Sequence, residues 1–447
     1  MDIRELEKHI TRHVGNLTRI DKQERYGRGY NPAILAPYPK DEPDIRIPIP
    51  IARRAVDIVV GYLGKEGNIT YAGKGFDDAT HEWLDTNDEG LTTAEELRAG
   101  LVHGRAYELH WIGEGGDDEF APVPRHEAIP IKLNDLKAKL IGFIHWRKVD
   151  DQFIADYYDE SMVTRFVSSS YSSGYKIDPD GTKPHPYNRV PVVEFMIDFD
   201  GSNIFDHCIA LIDFLDNLHS ENYANELARH AASIMLTTLR FNTDPDEYGQ
   251  TDADRVKQTG VIEGLPEPVQ NQVAYLTKDL AGTFIEATAD RIERLTYEML
   301  SLFNPNDDTF ATASGVAQLY KLLGFEYLCT RITSYFMRGL QDRFKLYQRL
   351  RGSMTVGSEI NTDITIDWRR NLPNDVLNIA QIMALLDGKL SDETLLRMLP
   401  ASIVPDVIEE LKKLEEQRAN AIPNVLDVGP EVDEEPTDPE ALDDARA

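Results

Sequence analysis

Apolar residues at three- and four-residue spacing open the chain: Ile3, Leu6, Ile10, Val14 and Leu17 share one helical face. A Gly-, Pro- and Tyr-rich connection runs to about residue 40. Residues 44–52 read as extended, because Pro48 and Pro50 bias the residues before them away from helix. Helices are expected from about residue 52 to 63 and over 94–103, the second closed by Gly104. Alternation then takes over. Residues 107–112, 140–148, 153–158 and 162–168 read as strands, the Asp-Pro-Asp-Gly sequence at 178–181 as a turn, and 190–195 as the last strand of an α+β region.

Near residue 203 the period lengthens. Residues 203–241 read as one helix, with Ile209, Ile212, Leu215, His219 and Tyr223 in step and Leu211, Phe214 and Leu218 widening the stripe. At about 1.5 Å per residue it would exceed about 50 Å. Residues 242–279 break the pattern with prolines and carry eight acids against three bases. A second helix is expected over 280–303, with Phe284, Ile285, Thr288, Ile292, Leu295, Met299 and Leu302 in step. After a polar interruption at 304–314, holding a lone Phe310, a third helix is expected over 315–350. Its apolar positions include Val316, Leu319, Leu323, Tyr327, Ile332, Phe336, Leu340, Phe344 and Tyr347. Gly324 and Gly339 inside it are places where it could bend. A strand at 364–368, short helices at 375–386 and 392–398 with Ser391 as an N-cap, and a charged helix at 405–417 complete the pattern. Residues 421–447 hold nine acids, one Arg and four prolines and read as a disordered tail.

A length of 447 residues implies two or three domains. No apolar run approaches the roughly 20 residues of a membrane span, and the first residues form no apolar signal region, so neither a membrane nor secretion is expected. Cys208 and Cys329 both fall in helical patterns and suit small buried thiols in a reducing compartment. The net charge of −30, from 77 acids against 47 bases, lacks the cationic surplus with which nucleic-acid binders neutralise phosphate. It fits an ordinary acidic protein. It also fits a protein that touches DNA without holding it, since acidic walls repel phosphate.

Catalytic signatures are missing. The glycines near Lys65 and Lys74 lack the spacing and following Ser or Thr of a phosphate loop, and His81-Glu82 lacks a second His at 85. His103 and His110 straddle a helix end and read as surface or core histidines before metal ligands. No Ser sits in a nucleophile elbow, and neither Cys has a His in a catalytic pattern. Dispersed carboxylates could still form an acid/base pair, which needs no local motif. No cofactor is implied.

The order of parts is itself distinctive: an α+β region, a long helix, a short acidic insert, a second helix, a polar loop, a third long helix, then a strand and short helices. It resembles the portal family of tailed double-stranded DNA bacteriophages, the head-to-tail connectors. Local stretches agree: Leu101 to Leu109, Tyr187 to Phe195 followed by Leu211-Ile-Asp213 and Ser220-Glu-Asn222, Ala313 to Leu323, and Ile366-Asp-Trp368 with Leu372 to Asp375 and Leu386 to Leu395. Together they span about residues 45–420.

The resemblance implies a multi-domain α+β portal fold. Residues 1–202 with 315–368 would form the wing, 203–241 and 280–302 the two stem helices, and 242–279 a short clip. Residues 303–314 would form the tunnel loop, 369–420 the crown, and 421–447 the tail. It implies a homo-oligomeric ring, typically of twelve, with a central channel through which double-stranded DNA passes non-specifically. The partners implied are the terminase large subunit, a head-completion or adaptor protein, and the major capsid and scaffolding proteins. The place implied is the capsid portal vertex, with the host cytoplasm during assembly. The loop residues Asn304, Asn306, Asp307, Asp308, Thr309, Phe310 and Thr312 become channel candidates, with Phe310 either anchoring the loop on a neighbour or touching DNA. Arg291 and Arg294, one turn apart, become stem charges that pair with acids of the next subunit or make weak phosphate contacts. Asp244, Asp246, Glu247, Asp252, Asp254, Glu263 and Glu267 become docking candidates on the clip. The alternatives are another phage ring or shell component, or a metal-dependent hydrolase with dispersed carboxylates.

Overall fold

The computed structural model describes residues 1–35, 46–65, 67–136, 138–231, 234–236, 244, 251, 274–276, 282–302, 315–354, 363–370, 385–386, 389–397, 399, 403–404 and 407–420. They fall into two units, 1–371 and 372–447.

In the first unit, α1 (Ile3–Gly27) follows the expected stripe and continues ten residues beyond Leu17. It lies on one face of a five-stranded antiparallel meander: β4 (Ala128–Lys132), β5 (Leu140–Val149), β6 (Gln152–Tyr158), β7 (Met162–Ser168) and β8 (Lys176–Pro184). Leu6 and Ile10 pack there on Ile129, Ile144, Trp146, Ala155 and Phe166. The opposite sheet face meets a three-stranded sheet of β2 (Arg105–Ile112), β3 (Asp118–Val123) and β9 (Val192–Met196) through Phe143, Ala128, Tyr107, Leu109 and Val192. The expected turn at 178–181 is a bulge inside β8. The register jumps from Arg165 opposite Asp178 to Val163 opposite Lys183, and the Asp178 carboxylate caps Asp180 N–H as it would in a turn. β8 is an edge strand, and the bulge, Lys176, Lys183 and Pro184 all discourage pairing with a further strand.

The main core is helical. It joins α2 (Ile51–Leu63), α4 (Glu89–His103), α5 (Ile209–Ala231), α6 (Gly282–Met299) and the 40-residue α7 (Gly315–Met354) around Phe195 of β9. Residues 46–50 are extended as expected, and α5 straps them down: Ile49 N–H donates to the Asp216 carboxylate at 2.9 Å and Ile47 N–H to the Ser220 hydroxyl at 3.0 Å. α4 stops at Gly104 because that residue has φ +80° and a Cβ there would lie 1.8 Å from the Gly201 carbonyl oxygen. β1 (Ile69–Ala72) pairs antiparallel with β12 (Thr365–Trp368), which ties the end of the first unit back to its beginning. The short α3 (Asp78–Thr86), not anticipated from its two buried apolar residues, is capped by the Asp77 side chain on Thr80 N–H.

Two expectations need correction. The helix expected over 203–241 begins with a 3₁₀ turn at Asp206–Cys208 and is helical to Ala231, while Ile234–Leu236 forms β10, antiparallel to β11 (Ala274–Leu276). The β-branched Ile234, Thr237 and Thr238 cluster where the apolar stripe ends, and such residues favour strand. α6 ends at Met299 rather than 303 because Ser301 turns into the left-handed region at φ 56°. At Gly339 of α7 a Cβ would lie 2.2 Å from Phe195 Cδ1, so the glycine lets the helix backbone settle onto β9. Both cysteines are buried, and burial pushes Cys208 up to about 11 and Cys329 up to about 12, keeping them protonated.

In the second unit, α8 (Asp392–Arg397) and α9 (Val407–Asn420) pack Leu396, Val404 and Val407 together. Ser391 faces Thr394 in a cap-like position, with a 2.8 Å hydroxyl contact. Of the helix expected at 375–386 only 385–386 are described, and the tail at 421–447 lies outside the described residues. No described helix is long and apolar enough to cross a membrane.

Gly339→Ala should cost about 1–3 kcal/mol by overpacking against Phe195. Gly324→Ala, where nothing lies within 4 Å, should be neutral or stabilising. Thermal melts of both variants check the pair, and equal melting temperatures would refute the close-approach role of Gly339.

Candidate functional site

Three helices present apolar side chains that the single chain leaves uncovered. α5 and α6 pack through Cys208, Ile212, Leu215, Ala289, Tyr297 and Leu300, and α7 adds Phe325, Leu328, Cys329 and Ile332. On the outside, Phe284 of α6 is 71% exposed and Tyr327 of α7 is 67% exposed. Leu323, one turn before Tyr327, and Phe214 of α5 are exposed as well. Single exposed apolar residues are ordinary, but large ones recurring on adjacent helices mark surfaces that another chain covers.

Arg291 and Arg294 lie one turn apart on α6, both exposed, with no ion pair among the described residues. No described residue pairs with them, which is compatible with either expected partner, a neighbouring acid or phosphate. The loop candidates Asn304, Asn306, Asp307, Asp308, Thr309, Phe310 and Thr312 lie outside the described residues, as do Asp246, Glu247, Asp252, Asp254, Glu263 and Glu267; Asp244 is described and exposed. His103 and His110 are not brought together: His103 Nε2 contacts the Glu24 carboxylate at 3.0 Å, and that hydrogen bond, against burial, holds Glu24 down to about 2.

His110 belongs instead to a buried charge cluster that the sequence did not reveal. Arg343 of α7 has no exposed surface. Its Nε donates to both Glu108 oxygens at 3.0 Å and its Nη2 to Glu108 Oε2. Its Nη1 donates to Glu89 Oε1 at 3.0 Å and to the Thr93 hydroxyl at 2.8 Å. The guanidinium also lies between the Phe120 and Phe195 rings, 4.8 and 5.2 Å from their centres. His110 bridges Glu108 at 3.1 Å and Asp118 at 3.0 Å, and Asp118 in turn accepts from Trp83 Nε1 and the Tyr187 hydroxyl. Burial opposes a charged ring at His110, but the Asp118 and Glu108 carboxylates outweigh it and push its pKa up to about 9. Glu108 is likewise held below the usual carboxylate range, because Arg343 and His110 outweigh its burial. A signal existed: Arg343 follows Phe336 and Leu340 and precedes Tyr347 at helical spacing, so it occupies an apolar-face position.

Glu96 of α4 is fully buried beside this cluster, and neither carboxylate oxygen has a hydrogen-bond partner among the described residues. Burial, followed by the charge on Glu108, raises its pKa well above the carboxylate range, so it is a neutral acid. Arg343, Glu108 and His110 are all buried, so the charges of the cluster are met by one another and not by water. Among the described residues no group of three or more His, Cys, Asp or Glu side chains is arranged to hold a metal ion.

A family model described as "Phage portal protein, SPP1 Gp6-like" matches residues 6–424. No curated protein matches the chain by sequence. The chain is similar to solved structures titled "Neck of empty GTA particle computed with C6 symmetry" and "Virion of native gene transfer agent (GTA) particle". The first has 14% identity and a TM-score of 0.43, covering 79% of this chain and 90% of that one. The second has 13% identity and a TM-score of 0.44, covering 85% of this chain and 93% of that one.

Removing one partner from the cluster should be costly. Arg343→Met leaves Glu108 buried with only His110 to meet its charge and should destabilise by about 3–5 kcal/mol, while adding Glu108→Gln should recover part of the loss. A double-mutant cycle in denaturant melts tests this, and additive losses would contradict it.

Alkaline pH should also weaken the protein. His110 contributes stability that is complete below about 6.5 and is lost as pH rises through about 9. Glu96, with its raised pKa, contributes stability present below about 4.3 that declines as pH rises. Glu96→Met should therefore raise the melting temperature, and by more at pH 8 than at pH 5. A gap that stays constant with pH would rule out a neutral buried acid.

Proposed function

The chain belongs to the SPP1 Gp6-like family of phage portal proteins, and on that premise we propose how its parts serve a portal ring. Portal proteins of this family are structural virion components at the head-to-tail connection, so this protein is a ring subunit and not an enzyme. The observation that carries the reading is the family match over residues 6–424. The hydrolase alternative falls with it.

In the proposed arrangement about twelve copies form a closed cyclic ring around a channel for double-stranded DNA. The first sheets, α1 to α4 and α7 form the wing. α5 and α6 form the stem, and the acidic segment around β10 and β11 forms the clip. Residues 303–314 form the tunnel loop and residues 369–420 the crown. The exposed Phe214, Phe284, Leu323 and Tyr327 support this reading as faces that neighbouring subunits cover. The ring repeats each side chain around its axis, so Asp307 and Asp308 become a girdle of negative charge that repels phosphate and lets DNA slide. Phe310 anchors that loop on a neighbour. The clip acids are the surface offered to the terminase large subunit during packaging and to a head-completion protein afterwards. Capsid and scaffolding proteins meet the ring during assembly.

Negative-stain electron microscopy of the purified protein should show rings with a central hole; monomers even with scaffolding protein added would defeat the proposal. Reversing Asp307 and Asp308 to Lys should leave those rings intact and lower packaged DNA in a packaging assay. Unchanged packaging would remove the loop from the mechanism.

A further inference from the structure

Positive charge is scarce in this chain, 47 basic residues against 77 acids, yet one cleft concentrates it. The cleft lies between β2 and the face of β5 to β8 turned away from α1, and has a volume of about 480 Å³. Arg147 of β5, Arg165 of β7 and Lys183 of β8 line it, and Asp156 of β6 is the one acid among its lining residues. Asp156 is buried and held from both sides. Arg147 Nη2 donates to it at 2.9 Å, and Arg165 donates through Nε at 2.7 Å and Nη2 at 3.1 Å. One carboxylate is thus shared by two guanidiniums, leaving a positive excess at the cleft wall. Asp178, opposite Arg165 in the strand register, tempers that charge from outside the lining. Lys183 is exposed and makes no ion pair among the described residues.

His185, in the same lining, adds no charge: burial lowers its pKa and keeps the ring neutral. Beside it the cleft is apolar, walled by Ile112, Val163, Pro191 and the partly exposed Trp111.

A ligand for this cleft must therefore bring an oxyanion and an apolar body. A short acidic peptide has both. Inorganic phosphate has no apolar body, and duplex DNA, with a charge at every ~1.7 Å of its axis, brings far more charge than three cations neutralise. We propose that the cleft docks a short acidic and apolar segment of a partner protein, with a side-chain carboxylate on Arg147, Arg165 and Lys183 and apolar side chains against Ile112, Val163 and Pro191. The proposal does not depend on which segments of the chain form stem, clip or loop.

The test uses the full-length protein and a fluorescent, capped tetrapeptide of alternating Glu and Leu, read by anisotropy. The wild type should bind it saturably and less tightly as salt rises. Lys183→Glu, which breaks no ion pair seen in the fold, should weaken binding by about tenfold or more with an unchanged melting temperature. The same peptide with Gln in place of Glu should not bind. Absence of saturable binding at millimolar peptide would overturn the proposal. So would equal affinity for wild type and Lys183→Glu, or binding of inorganic phosphate with none of the peptide, which would mark an anion site only.

Discussion

Arg343 has no contact with water, and the arrangement of the first unit depends on meeting its charge inside the protein. The groups that do so come from two separate stretches, Glu89 and Thr93 from α4 and Glu108 from β2, with α7 supplying the arginine more than 230 residues later. A buried ion pair of this kind contributes little net stability, because desolvating both charges costs about what their attraction returns. Its effect is on register. The apolar stripe of a 40-residue helix could slide by a turn along its groove at modest cost, since one Leu or Phe replaces another. Arg343 can reach Glu108 with Nε and Nη2 and Glu89 with Nη1 in one position only. Gly339, one turn earlier, adds a steric condition against Phe195 that the same position satisfies.

Elements with a clear period were legible from sequence: α1, α2, α4, α7, the hairpins of β5 to β7, and β12. Their apolar spacing is set by the face they bury, so the chain records it. The failures have physical causes. β2 read as a half-buried alternating strand, yet both faces are covered. Glu108 and His110 occupy what looked like the wet face and are sealed by Arg343 and Asp118. Alternation reports polarity, not solvent, and a polar residue paired with a distant opposite charge leaves no local trace. The strand at 234–236 was hidden for the opposite reason: Ile, Met and Leu suit helix and strand alike, and its pairing with 274–276 is non-local. Of the candidate site, the exposure of Arg291 and Arg294 agrees with their placement on a helix surface. The buried cluster left one trace, Arg343 on an apolar helical face, but its partners lie more than 230 residues away. The cationic cleft left none, because Arg147, Asp156, Arg165 and Lys183 share one face only once neighbouring strands pair.

The two kinds of charge in this chain serve different ends, and the family's ring makes the difference matter. Inside, acids and bases are matched nearly one to one around Arg343, His110 and Asp156, where an unmatched charge would be intolerable. The surplus that makes the chain −30 therefore sits largely on surfaces and in the acid-rich segments. Copies of such a subunit repel one another, but the repulsion between exposed charges is screened beyond about 8 Å at physiological salt. Apolar contact acts at van der Waals range and returns about 25 cal/mol for each Å² removed from water. A ring of acidic subunits can close only if the contact surfaces are apolar and the acids are held back from them, toward the channel and the outer rim. Phe214, Phe284, Leu323 and Tyr327 on the three long helices meet the first condition. In the proposed ring, the same repulsion that apolar contact must overcome between subunits would keep an acid-lined channel wall from gripping a polyanion, so one surplus of acid would set both the demand on the interface and the behaviour of the channel.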